Sequence, residues 1–180
     1  MGKSYKFSKF IRTVISDIRF YAGKRRISSY LGNLLINPSL QFVLLYRLSH
    51  FFYCKGLNLP ACALEWLQHI FFASRIEKRA QIGMNFRIPH PTGIIIGIAD
   101  IGDDVTIFQN VTIGGSGRKS EKGLYPHIKG QVKIYAGAVI IGSLTIGDGA
   151  TVAALSLVNR EVPARWTAIG IPAHLKPPHK

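Results

Sequence analysis

The chain has 180 residues, of which 47% are hydrophobic, and a net charge of +14 at pH 7. This length predicts one domain with an appendage, and the apolar content is enough for a sizeable core. The positive charge favours anionic partners such as a membrane face, an acidic glycan or a phosphorylated cofactor. We expect no nucleic-acid partner, because the sequence contains no recognised nucleic-acid-binding motif.

The cysteines and the first residues bear on the cellular compartment. Cys54 and Cys62 lie in apolar sequence without metal-ligand spacing, so we expect buried thiols in a reducing environment. The basic start is not followed by the continuous apolar run of a secretory signal. Together these features predict a cytoplasmic protein.

Three helices are predicted in the first part of the chain. The first starts at Phe7 and has apolar residues on one face and lysines and arginines on the other. Asn37 and Pro38 have the character of an N-cap and a first-turn proline, so a second helix begins there. A third begins at about Asn58. The second and third helices are interrupted by polar residues and are not expected to span a bilayer.

The basic, amphipathic first helix suits two environments. It would lie on an anionic membrane surface, or its apolar face would pack against the other helices or a neighbouring subunit. Thirteen lysines and arginines lie in the first 80 residues against three acids, so peripheral docking at the inner membrane is a hypothesis worth testing.

Branched aliphatic residues recur every six positions from residue 82 to residue 158, in three runs of constant spacing. They are Ile82, Ile88, Ile94; Ile101, Ile107, Ile113; and Ile128, Ile134, Ile140, Ile146, Val152, Val158. This period fits neither an α-helix nor a flat strand, and it is typical of a parallel β-helix whose coils are triangular. We expect a helical region at 1–75, a β-helix at 76–165 and a C-terminal cap or tail at 166–180.

The repeats have one long interruption, a basic and glycine-rich loop at 114–127. A β-helix can eject such a loop from a corner without disturbing its coils, and long loops on a regular scaffold often serve a site. Upstream of the loop, His90 stands between Pro89 and Pro91, which restrict its backbone.

Several segments carry a resemblance to one family. His90–Gly97, Val111–Gly117, Pro126–Ile128 and the ending Thr167–His174 resemble the serine acetyltransferase branch of the hexapeptide-repeat acyltransferases, and Tyr46–Phe51 is similar to the helical domain of that branch. Within the branch, the nearest likeness is to the colanic-acid and capsular-polysaccharide O-acetyltransferases.

The resemblance implies a mainly β fold, a left-handed parallel β-helix with an N-terminal α-helical region. It also implies acetyl-CoA as the donor and a homotrimer with active sites between adjacent subunits, while pairing of two trimers through their helices stays open. Zinc enzymes on the same scaffold need three converging histidines. Only His90 and His127 lie in the repeats, so we expect no metal.

Transfer of an acetyl group from a thioester to a hydroxyl needs a base, and a neutral imidazole is the usual choice. His90 matches the catalytic base of the family. His127 and Glu77 are the other catalytic candidates, Glu77 as a substitute for the acid that orients the base. Tyr125 occupies the place of the family's second histidine and is a candidate for substrate binding. No cysteine or serine has a nucleophile arrangement, which favours direct transfer.

The binding of acetyl-CoA is expected along stacked coils. Ala136 and Ala154 are eighteen residues apart and match positions where the family sets backbone amides against the pantetheine arm, although two alanines filling tight corners are equally compatible with the sequence. Gly115 in the loop is a further candidate. The nucleotide phosphates need a basic residue, for which the candidates are Arg160, Arg165 and Lys176.

Three departures from the family bear on the acceptor. Pro89 and Arg75 stand where the serine enzymes have acids, and Tyr125 stands where they have a histidine. The ammonium group of an amino-acid acceptor would lack these carboxylates, whereas a sugar hydroxyl needs none. We therefore expect acetyl transfer to a glycan acceptor, a sugar of a capsular or other surface polysaccharide or its precursor. The alternatives are a serine O-acetyltransferase of cysteine biosynthesis and a non-catalytic binding scaffold.

Overall fold

The computed structural model describes three stretches of the chain, residues 6–22, 36–117 and 123–178. The three predicted helices are present as α1 (Phe7–Ala22), α2 (Pro38–Cys54) and α3 (Asn58–Phe72). The predicted start of α2 is confirmed, because the side-chain oxygen of Asn37 accepts hydrogen bonds from the backbone N–H groups of Ser39 and Leu40. No helix of the described stretches is long and apolar enough to cross a membrane.

Short strands of two or three residues follow the helices. They are β1 (Arg75–Ile76), β2 (Gln81–Ile82), β3 (Ile95–Ile96), β4 (Asp100–Ile101), β5 (Thr106–Ile107), β6 (Thr112–Gly114), β7 (His127–Ile128), β8 (Lys133–Ile134), β9 (Val139–Ile141), β10 (Thr145–Ile146), β11 (Thr151–Val152), β12 (Leu157–Val158), β13 (Thr167–Ile169) and β14 (His174–Lys176).

The strands form the three faces of a prism, each strand pairing in parallel with its neighbour one coil away. Face 1 holds β1, β3, β6, β9 and β12; face 2 holds β2, β4, β7 and β10; face 3 holds β5, β8, β11 and β13. Strand β14 pairs antiparallel with β13 and covers that end of face 3. The predicted parallel β-helix is confirmed.

The hexad aliphatics fill the prism. The core residues with no exposed surface include Ile88, Ile94, Ile107, Ile134, Ile140, Ile146, Val152 and Val158. Glycines follow some of them because neighbouring coils come close. A Cβ at Gly102 would lie 2.8 Å from the backbone nitrogen of Gly130, and one at Gly147 would lie 2.4 Å from that of Ala164. Gly102 and Gly147 do not have positive φ angles. Left-handed backbone occurs at other positions of the repeat, such as Asn110 with φ 58°.

The helices supply hydrogen-bond partners to the open edge of the first coil. Side chains of α1 and α3 accept from backbone N–H groups that have no strand beside them. The acceptor and donor pairs are Gln68 with Ile76 at 2.9 Å, Glu65 with Lys78, Asp17 with Phe86 at 3.1 Å and Tyr21 with Ile88 at 2.7 Å. From α2, the hydroxyl of Tyr46 donates to the carbonyl of Ala80 at 2.8 Å.

A buried ion pair joins α1, α2 and this first coil. The Nε of Arg47 donates to Oδ2 of Asp17 at 2.9 Å, and both side chains are almost completely buried. The same guanidinium donates to the carbonyl oxygen of Ile82 at 2.6 Å and to that of Gly83. Burial raises the pKa of Asp17, against the influence of Arg47 and of the Phe86 amide, which favour the ionised carboxylate.

The ion pair sets the orientation of α1. Thr13 and Asp17 face inward, whereas Ile11, Ile15 and Phe20 remain exposed. Two residues of the predicted apolar stripe, Ile11 and Ile15, thus remain exposed instead of packing against the other helices, because Asp17 has to reach Arg47. Contact of the stripe with a neighbouring subunit or a membrane stays a prediction. The expectation of two buried thiols is wrong, since Cys62 is exposed and Cys54 is half-buried.

Candidate active site

His90 lies in the corner between face 3 and face 1 of the first coil. Arg87 precedes it in a bridge to Thr106 on face 3, and β3 follows it on face 1. The helical region holds the backbone on both sides of it. The hydroxyl of Ser39 donates to the carbonyl oxygen of Pro89 at 2.9 Å, and that of Ser74 donates to the carbonyl oxygen of Pro91 at 3.2 Å.

The imidazole of His90 is presented to solvent on this fixed backbone. The residue is exposed, and its ring has no hydrogen-bond partner within the described stretches. A solvent-facing ring on a rigid corner is available to a substrate, and a second protein surface is needed to exclude water from it.

Glu77 is engaged with cations. Its carboxylate accepts a hydrogen bond from Nε of Arg79 at 2.9 Å and lies 3.8 Å from Nζ of Lys78 and 4.0 Å from Arg75. Burial raises the pKa of Glu77, but the hydrogen bond and the nearby positive charges outweigh it, so the pKa lies below its usual value. The structure places these cations around the carboxylate and shows no contact between it and the ring of His90.

His127 opens β7 on face 2, where the chain returns from the loop. Its Nδ1 lies 3.1 Å from Oδ2 of Asp100, which opens β4 one coil away. His127 is therefore at the corner between faces 1 and 2, and His90 is at the corner between faces 3 and 1. Within one chain, face 1 separates the two histidines.

The described ends of the loop meet at Gly115. A Cβ there would lie 2.4 Å from the carbonyl oxygen of Leu124, so a glycine lets the two ends approach. Tyr125 is exposed where the loop returns to the prism. Residues 118–122, in the middle of the predicted loop, lie outside the described stretches.

The two alanines assigned to acetyl-CoA share the corner of His90, one coil apart from each other. The N–H of Leu155 donates to the carbonyl oxygen of Ala136 at 2.9 Å, which stacks Ala154 on Ala136. Within the described stretches, the backbone N–H groups of Ala136 and Ala154 donate no hydrogen bond. Small side chains and available amides fit a pantetheine arm along this corner.

The basic candidates for the phosphates lie elsewhere on the prism. The N–H of Arg165 donates to the carbonyl oxygen of Asp148 at 2.8 Å, at the corner between faces 2 and 3. Lys176 is in β14, opposite Thr167. Face 3 therefore separates Arg165 from the corner of the alanines.

Asp100 was not predicted from the sequence, although the repeat contains the signal for it. Asp100 stands directly before Ile101, and His127 stands directly before Ile128, so both occupy the same outward position of successive coils. Within the described stretches, no group of three or more histidine, cysteine, aspartate or glutamate residues could hold a metal ion.

Known proteins identify the family. No family model matches the chain. A serine acetyltransferase of Bacillus pumilus is 36% identical over 148 residues, which are 82% of this chain and 68% of that protein. The chain belongs to the serine acetyltransferase family.

Solved structures of the family agree with this. Soybean serine acetyltransferase in complex with serine has a TM-score of 0.82 and 35% identity, over 94% of this chain and 70% of that one. A serine acetyltransferase in complex with CoA has a TM-score of 0.82 and 29% identity, over 94% of this chain and 71% of that one. The predicted left-handed β-helix and the predicted acetyl-CoA-dependent acyltransferase are confirmed at the level of the family.

The prediction of a polysaccharide O-acetyltransferase is wrong. The relatives are serine acetyltransferases, and the nearer likeness to capsular enzymes finds no support among them. That prediction relied on the absence of acids at two fixed sequence positions, those of Pro89 and Arg75. Departures at single positions do not outweigh the identity over 148 residues.

Proposed function

We propose that this enzyme transfers the acetyl group of acetyl-CoA to the hydroxyl of L-serine. The observation that carries the proposal is the 36% identity over 148 residues with a serine acetyltransferase. The similarity to a family structure holding serine supports the same acceptor. This is the alternative that the departures at Pro89, Arg75 and Tyr125 disfavour at the level of sequence.

The proposed mechanism is direct transfer with His90 as the general base. The neutral imidazole takes the hydroxyl proton as the serine oxygen attacks the thioester carbonyl carbon. The tetrahedral adduct then breaks its C–S bond, and the imidazolium returns the proton to the leaving thiolate. The products are O-acetylserine and the free thiol of CoA.

Other residues have supporting roles in this proposal. The amides of Ala136 and Ala154 bind the pantetheine arm, and Gly115, across face 1 from them in the same chain, is kept as a further candidate for binding acetyl-CoA. Tyr125 and His127 contact the acceptor in this proposal. Glu77, predicted as the acid that orients His90, is paired with Arg75, Lys78 and Arg79 instead. Arg165 and Lys176 are kept as candidates for the phosphates. We also propose that 1–75, 76–165 and 166–180 act as helical region, catalytic prism and cap.

The direct test is an assay of thiol release from acetyl-CoA with L-serine as acceptor. We expect serine-dependent release, with O-acetylserine identified by mass spectrometry. D-serine and L-alanine are the controls, because the first changes the stereochemistry and the second lacks the hydroxyl. Release that does not depend on serine, or no transfer to serine, would contradict the proposed function, and the second result would agree with a binding scaffold.

We propose a homotrimer in which face 1 contacts the next subunit. The outward residues of face 1 are mainly apolar, and Ile95 and Ile141 are each 38% exposed. The outward residues of the other faces are mostly polar, with Ile169 on face 3 as an exception. The polar ones are Gln81, Asp100, His127 and Thr145 on face 2, and Thr106, Lys133, Thr151 and Thr167 on face 3.

In a cyclic trimer, one edge of each subunit contacts a different edge of the next subunit. Face 1 is bordered by the corner of His90 on one side and by the corner of His127 on the other. Packing through face 1 therefore brings His90 of one copy towards the edge that carries His127 in the next. This explains how a site divided by face 1 within one chain becomes complete.

Replacing Ile141 by glutamate is expected to dissociate the trimer, because it buries a charge at an apolar contact. Light scattering after size-exclusion chromatography should give three or six times the chain mass of 19.9 kDa for the wild type and one chain mass for the variant. Thr151→Glu on face 3 is the matched control and should stay assembled. An assembled Ile141→Glu variant, or a monomeric wild type, would contradict this interface.

We further propose that α1 brings the enzyme to an anionic, cytoplasmic membrane face. A groove of about 800 Å³ on α1 is lined by apolar Ile11, Ile15 and Phe20 and by cationic Arg12 and Arg19. Exposed apolar side chains beside cations suit the boundary between acyl chains and acidic headgroups.

Co-sedimentation with vesicles tests this proposal. We expect more binding to vesicles with phosphatidylglycerol than to pure phosphatidylcholine, and a loss of roughly tenfold or more in Arg12→Glu/Arg19→Glu. Lys129→Glu/Lys133→Glu makes the same charge change on the prism and should bind as the wild type does. Equal binding to both vesicles, or equal loss in both double variants, would contradict a specific role for α1.

A further inference from the structure

Asp100 and His127 form a polar pair on the outside of face 2. Their strands, β4 and β7, are adjacent and parallel, with Asp100 directly opposite His127. Nδ1 of the imidazole lies 3.1 Å from Oδ2 of the carboxylate, a hydrogen-bond distance. Two different coils therefore supply the two members of the pair, and the repeat itself sets their register.

The backbone of each member is fixed. The N–H of His127 donates to the carbonyl oxygen of Leu144 at 2.8 Å, and the N–H of Asp100 donates to that of Pro126 at 3.1 Å. Each residue is thus held by the next coil of the prism, and only the side-chain torsions can move. The carboxylate of Asp100 restricts those of the imidazole, so a residue of a neighbouring coil contributes to the direction of the ring.

A carboxylate at Nδ1 also selects the tautomer. A neutral imidazole that donates Nδ1–H to Asp100 carries its lone pair on Nε2, which makes Nε2 a hydrogen-bond acceptor. The imidazole is 36% exposed, so a substrate can reach the ring. His90 has no comparable partner within the described stretches, so the two histidines differ in how strongly the chain orients them.

We propose that Asp100 is a positioning residue that holds His127 with Nδ1–H towards the carboxylate and Nε2 towards the acceptor. Nε2 then accepts a hydrogen bond from the hydroxyl or ammonium group of the bound acceptor and aligns it for attack. This inference rests on the proposed function for the identity of the acceptor. The orientation of the ring by Asp100 does not depend on it.

The tautomer is measurable without any activity. Nitrogen NMR of protein labelled with 15N-histidine should show His127 with its proton on Nδ1, and a His127→Gln variant assigns that signal. In Asp100→Ala the signal should move towards the tautomer with the proton on Nε2. Asp148→Ala is the matched control, because the carboxylate of Asp148 accepts from the N–H of Gly130 and touches no imidazole. An unchanged His127 signal in Asp100→Ala would overturn the inference.

Kinetics separate a positioning role from a structural one. We expect Asp100→Ala to lower kcat/KM for serine by about tenfold or more, while Asp148→Ala keeps the wild-type value. Because Asp100 acts through His127, the double variant Asp100→Ala/His127→Gln should be no worse than His127→Gln alone. Additive losses would overturn the inference. A wild-type enzyme that does not acetylate serine would overturn the proposed function, and the NMR result would still decide the role of Asp100.

Discussion

Alanine in place of His90 is expected to lower kcat for acetyl transfer on the order of 10² to 10⁴-fold, the usual contribution of a general base. The loss should appear in kcat more than in KM for acetyl-CoA, since the amides assigned to the pantetheine arm belong to Ala136 and Ala154. The free energy of unfolding should stay the same, because the ring is exposed and makes no hydrogen bond within the described stretches.

The control for this variant is His69→Ala. His69 is also an exposed histidine, but it lies on α3 and not on the prism. Steady-state assays of both variants at one pH, with urea unfolding curves, distinguish lost chemistry from lost structure. A His90→Ala enzyme within twofold of the wild type would remove His90 from the mechanism, whatever acceptor is used.

The second large effect is expected for Arg47→Met, which should lower the free energy of unfolding by about 3–5 kcal/mol. Methionine keeps much of the side-chain volume but leaves the carboxylate of Asp17 buried without its counter-ion. It also removes the donors to the carbonyl oxygens of Ile82 and Gly83. Urea unfolding monitored by circular dichroism gives the change directly.

The matched control is Arg79→Met, which removes an arginine paired with a carboxylate at the same distance of 2.9 Å but half exposed. Its cost should be no more than about 1 kcal/mol. Removing both partners, in Asp17→Leu/Arg47→Met, should restore part of the loss because no charge is then left buried alone. If the two methionine variants unfold at the same urea concentration, the buried pair does not hold the helices to the prism.

The prism could be predicted from the sequence because its rule is local. Each coil repeats the same inward position, so the six-residue spacing alone predicts that the side chains of Ile134 and Val152 lie in the core. The start of α2 was equally local, since Asn37 caps its own helix. The loop could be recognised as the one long break in this spacing.

What the sequence did not reveal depends on contacts between distant residues. Asp17 and Arg47 are thirty residues apart on different helices, and no periodicity links them. The part of the α1 stripe that stays exposed could not be identified from the sequence for this reason, since amphipathicity alone does not say what the stripe contacts. The acceptor was misread because departures at single positions weighed more than the similarity over most of the chain. The pair of Asp100 and His127 was missed because its members come from different coils.

The hydrogen bonds that α1, α2 and α3 give to the first coil have a consequence for protein engineering. A shortened enzyme beginning at β1 would keep the histidines and the alanines, yet it would present bare amide and carbonyl groups along a flat, repetitive end. Such an end is a template for another copy of itself. We expect that shortened enzyme to stack into filaments or precipitate, so anyone seeking a minimal catalyst has to retain Arg47 and its neighbours.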